Sequence, residues 1–99
     1  MMNRGQWLLL KLAEECAEVT QRVTKALTFG ITEVQDGQDR NNSQRIVEEL
    51  MDLHVILDKL STEGYIDLEN IDNLKQRIDQ RSKKVERWYE YAKKEGQVQ

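Results

Sequence analysis

The sequence predicts an all-α fold, and three observations carry that prediction. The 99 residues contain no Pro and only 5 Gly, so little interrupts long runs of good helix formers. Apolar residues recur at spacings of three and four, the period of one helix face. The chain is long enough for one small domain and not for two. The expected fold is a bundle of three main helices, a single domain over residues 1–99. A core this small is often completed by oligomerisation.

The first helix is expected from about residue 5 to 27. Leu8, Leu9, Leu12, Cys16, Val19, Val23, Ala26 and Leu27 define its apolar stripe. The lone Cys16 excludes an intrachain disulfide, suits a reducing cytosol, and reads as a small core residue. Glu15 falls at the edge of the stripe. Glu18 lies one position further out, beside Lys11, Arg22 and Lys25, while Glu14 points away. Phe29-Gly30 ends the helix.

Residues 30–42 read as a loop rich in turn formers, including Asp36-Gly37 and Asn41-Asn42. It is long for a helix–helix connection, and mobility is expected of it. Ser43 is the expected N-cap of the second helix, over about 43–62. Ile46, Leu50, Leu53, Leu57 and Leu60 form its main stripe. Glu49 falls inside that stripe and Asp52 beside it, while Glu48 points outward. A carboxylate on an apolar face is costly unless paired, protonated or metal-bound, so Glu49 marks a functional position.

Glu63-Gly64-Tyr65 breaks the second helix. Asp67 is the expected cap of a third, over about 68–95, with Ile71, Leu74, Ile78, Val85, Trp88 and Ala92 as its seam. Lys83, Lys84 and Arg87 lie on its polar side. Trp7, Trp88, Tyr89 and Tyr91 read as core or interface groups, and His54 as structural or surface. No segment is long and apolar enough to span a bilayer. The net charge of -3 argues against stable nucleic-acid binding.

Two short motifs carry the chemistry. Glu14-Glu15-x-x-Glu18 and Glu49-x-x-Asp52 each place two acids on one helix face. In an antiparallel hairpin Glu15 faces Asp52 and Glu18 faces Glu49. At ~1.5 Å per residue the arms from Glu18 to Phe29 and from Ser43 to Glu49 span roughly 16 and 9 Å, a difference the loop absorbs. Four such carboxylates suit Mg²⁺, with Mn²⁺ as a possible substitute. Mg²⁺ prefers oxygen ligands and keeps open positions for phosphate. Arg22, Lys25, Lys83, Lys84 and Arg87 are candidate phosphate-binding residues. Glu14 and Glu48 are candidates for the base that takes a proton from water.

These residues resemble the EExxE…ExxD signature of the MazG-like, all-α nucleoside triphosphate pyrophosphohydrolases. Residues 15–30 (ECAEVTQRVTKALTFG) and 42–52 (NSQRIVEELMD) are especially similar to short stand-alone members, many of them phage-encoded. The resemblance spans about residues 8–60, and the third helix fits more loosely. It implies a homodimer or a dimer of dimers that hydrolyses an NTP or dNTP to the monophosphate and pyrophosphate, in the cytoplasm of a cell or host. It implies Glu15, Glu18, Glu49 and Asp52 as Mg²⁺ ligands. Thirty residues separate Glu18 from Glu49, slightly more than the family's usual gap. The alternative is a non-catalytic helical module that binds a protein partner or senses a nucleotide.

Overall fold

A computed structural model describes residues 1–68 and 73–99. Within them the protein is all-α, with three helices and no strand. Helix α1 is Arg4–Phe29, α2 is Asn42–Thr62 and α3 is Leu74–Lys94. Two compact units result: Met1–Asp67, the α1/α2 hairpin, and Leu68–Gln99, which carries α3.

Each end of the hairpin is built by its own sequence. Asn3 and Asn41 are the N-caps of α1 and α2. Each accepts a bond from the backbone N–H three residues on, and the side chain of Gln6 or Gln44 accepts one from the cap's own N–H. This is a reciprocal capping box that satisfies two orphan donors. The cap of α2 is therefore Asn41, not Ser43. The repeated Asn-x-x-Gln at residues 3–6 and 41–44 is the sequence signal for it. Helix α2 ends with Gly64 at φ 84°, where Gly64 N–H bonds Ser61 O and Tyr65 N–H bonds Leu60 O. That paired pattern is a Schellman motif, and its left-handed residue explains the glycine. Gln97 and Gly96 repeat it at the end of α3.

The helices of the hairpin run antiparallel. At one end Arg4 grips Glu63 through Nε at 2.5 Å and Nη2 at 2.8 Å, and the Tyr65 ring lies over Gly5. At the other end, buried Asn42 donates from Nδ2 to Gly30 O at 2.8 Å and to Glu33 Oε1 at 3.4 Å. The loop between is strapped as well. Asn42 N–H bonds Glu33 O, Ser43 N–H bonds Ile31 O, and Arg45 Nη1 donates to Gln35 Oε1 at 2.6 Å. These hydrogen bonds tie the first half of residues 30–42 to the start of α2.

The seam between the helices differs from the apolar stripe read from α1. Its buried and half-buried positions include Leu8, Leu12, Glu15, Val19, Arg22 and Ala26. On α2 they include Asn42, Ile46, Glu49, Leu53, Ile56, Leu57 and Leu60. Cys16, Leu9, Val23 and Leu27 are exposed, as is Leu50. Cys16 is therefore not a core residue of this chain. The physical reason is width. The apolar arc of α1 is broader than one neighbouring helix covers, and α2 takes the edge of the arc nearest the acids.

Helix α3 starts later than expected. Leu68 lies in a bend and the helix begins at Leu74, preceded by Asn73 at φ 56° without a side-chain cap. Asp67 is not its cap, and the stripe position Ile71 lies outside the described residues. Leu74, Ile78, Val85 and Trp88 are all exposed. Trp7, Tyr89 and Tyr91 are exposed too, so none of these rings belongs to a core of this chain.

Candidate functional site

Helix α1 carries Glu15 and Glu18 one turn apart, and α2 brings Glu49 to them across the seam. Each of the three offers a carboxylate oxygen, and these oxygens lie within 4.8 Å of one another. Glu15 and Glu49 are half-buried and Glu18 is exposed, so the trio opens to solvent on Glu18's side. The hairpin thus assembles three of the four acids expected to gather. Asp52 stays outside the trio, exposed, yet near enough for its charge to act on both Glu15 and Glu49.

The electrostatics show what this proximity costs. Burial pushes the Glu49 carboxyl up to about 7, helped next by a hydrogen bond with Glu18 and then by the charges of Glu18, Glu15 and Asp52. Burial also raises Glu15, followed by the charges of Glu18 and Asp52, while its hydrogen bond with Glu49 works the other way. Like charges gathered in a partly desolvated place favour a proton or a cation among them.

Arg22 is the cation present. Its Nε lies 3.8 Å from Glu49 Oε1, with the two side chains 19% and 16% exposed. That separation is an ion pair but not a hydrogen bond. Glu15 Oε2, Glu49 Oε2 and Arg22 Nη1 are all buried with no hydrogen-bond partner. Buried polar atoms in folded proteins are nearly always satisfied, and each exception calls for a reason. No family model matches the chain, and searches of curated proteins and of solved structures find no match.

The other expected site residues are scattered. Glu14 pairs with Lys11 at 2.9 Å, and Glu48 with Arg40 at 2.8 Å, both at the surface and outside the trio. Lys25 is half-buried on α1, and His54 is exposed. On α3, Lys84 and Arg87 line an open groove of about 300 Å³ together with Arg77, Gln80 and Arg81. Lys84 also lies 4.9 Å from the Trp88 ring centroid, a cation–π contact. Lys83 is not part of that groove. Arg77 and Arg81 are basic groove residues that the sequence reading passed over. Their signal was the spacing Arg77, Arg81, Lys84, which follows one helix face at steps of four and three.

Among the described residues no helix is long and apolar enough to cross a membrane.

Proposed function

We propose that the chain is a Mg²⁺-dependent nucleoside triphosphate pyrophosphohydrolase of the MazG-like kind, releasing a nucleoside monophosphate and pyrophosphate. One observation carries the reading. Three carboxylates from two helices converge within 4.8 Å, two of them with buried oxygens that bond nothing. A solvated helix face would leave such oxygens to water. A divalent ion instead takes carboxylate oxygens at about 2.0–2.1 Å, and the unsatisfied oxygens fit that demand.

Glu15, Glu18 and Glu49 would hold the ion, with Asp52 adding charge at the rim. Bound there, Mg²⁺ would neutralise a triphosphate and polarise phosphorus towards attack by water. The residues of this chain do the rest. The acids on α1 and α2 fix the height of the site on the hairpin. Arg22 and Lys25, on the same flank of α1, supply positive charge for phosphate oxygens. Positioning and charge neutralisation account for most of the acceleration in phosphoryl chemistry.

The test is pyrophosphate release from a panel of NTPs and dNTPs, with Mg²⁺ and with chelator, for wild type and Glu49→Gln. Metal-dependent release that disappears in the variant is the expected result. A wild type silent across the panel, with helical content intact, would leave the second reading, a helical interaction module. That reading predicts indifference to metal.

A further inference from the structure

Arg22 occupies an unusual place for a residue that the polar side of a helix was expected to carry. It sits in the seam between α1 and α2, mostly buried, with Nε 3.8 Å from Glu49 Oε1. Its Nη1 is shut away from solvent and bonds nothing. An arginine that had settled as a permanent partner of Glu49 would sit closer and use its fork on both carboxylate oxygens. Here Glu49 Oε2 is also unpaired. The pair lies within ion-pair distance and too far apart to satisfy either group.

We propose that Arg22 is the site's built-in counter-ion: a divalent metal displaces it from Glu49, and the freed guanidinium then takes a phosphate oxygen of the substrate. The inference rests on the metal-site reading above and adds to it a coupling between metal and anion, carried by one side chain. Two cations compete for one carboxylate, so Arg22 weakens metal binding when no anion is present. Once Glu49 belongs to the metal, the planar fork of Arg22 lacks an acid partner, and phosphate oxygens match its geometry. Metal and anion then favour each other, and that favour is reciprocal.

The test uses binding, not turnover, and the two arms of the prediction have opposite signs. Mn²⁺ is titrated into wild type and Arg22→Gln at about pH 8, where Glu49 is ionised. Magnesium pyrophosphate is then titrated into each at saturating Mg²⁺. The variant is expected to bind Mn²⁺ alone about tenfold more tightly, and magnesium pyrophosphate about tenfold more weakly. Arg22→Lys keeps the charge without the fork, and is expected to leave Mn²⁺ affinity near that of wild type while still weakening pyrophosphate. Arg22→Met, of similar length, replaces the glutamine if that variant does not fold. Changes of the same sign in both titrations, or no change in either, overturn the role of Arg22 while the metal site stands. A wild type that binds no Mn²⁺ overturns the site itself.

Discussion

Glu49 brings a carboxyl into a seam of apolar side chains, against two others, and this sets how stability responds to pH. Its folded value is pushed up to about 7 from an ordinary 4.5. Between those values the folded state holds a proton that the unfolded chain has released. Stabilisation is therefore full below the unfolded value and is lost as pH rises through the folded one. Glu15, Glu18 and Asp52 face the group with like charge, and Arg22 at 3.8 Å is its nearby cation. The metal-free melting temperature is expected to fall from about pH 5 to about pH 8, and Glu49→Gln to flatten that slope. Thermal melts across the range check it, and a slope equally steep in the variant would reject the assignment. At about pH 8, Mg²⁺ is expected to raise the melting temperature of wild type and not of Glu49→Gln, because only a ligand of the folded state stabilises it. Glu49 was legible in the sequence because helical periodicity alone places it inside an apolar stripe. Arg22 was not. Its burial depends on which edge of the α1 arc meets α2, and no periodicity within α1 contains that information.

The elements owe their ends to local chemistry. Both hairpin helices begin with Asn-x-x-Gln boxes, and α2 ends on a Schellman glycine. Asn41→Ala is expected to cost about 1 kcal/mol in denaturant titrations, a typical value for a lost N-cap. Gly5 has a tertiary reason to be glycine. A Cβ there would strike the Tyr65 ring, with every nearest atom closer than real Cβ contacts allow. Gly5→Ala is expected to lose about 1–3 kcal/mol through overpacking. In a Tyr65→Ala background the loss should shrink, since the atom in the way is gone. A double-mutant cycle measures this, and equal losses in both backgrounds would show that the ring is not the obstacle. The glycine that ends α2 could be read in sequence order, since a stop signal is local. The role of Gly5 could not, because its partner lies sixty residues away.

At the scale of the whole chain the core is thin. Leu8, Ala26 and Leu60 are the buried apolar side chains among the described residues. At ~100° per residue, Leu9, Cys16, Val23 and Leu27 lie about a quarter turn from the seam on α1, away from Glu18. Leu27 is 83% exposed. An apolar face this continuous is uncommon on a monomer. We expect a second copy of the chain to cover it. Sedimentation velocity should show self-association, and the pair Val23→Glu and Leu27→Glu should shift the chain to monomer with its helices kept. A wild type that stays monomeric across the accessible concentrations would exclude this.

The amino-acid sequence by itself determined the helices, their approximate limits and the two acidic turns. These follow from propensity, breakers and a 3.6-residue period, all of which act within a few residues. The sequence also led to a set of four acids, once an antiparallel hairpin was assumed, and three of them, Glu15, Glu18 and Glu49, converge. The tertiary structure alone decided which flank of α1 is covered. It left Asp52 at the rim, turned Cys16 outward and drew Arg22 into the seam. Those outcomes depend on the rotation of one helix against another. That rotation is set by the sum of many weak side-chain contacts across the interface, and such a sum is not written at any single position of the chain.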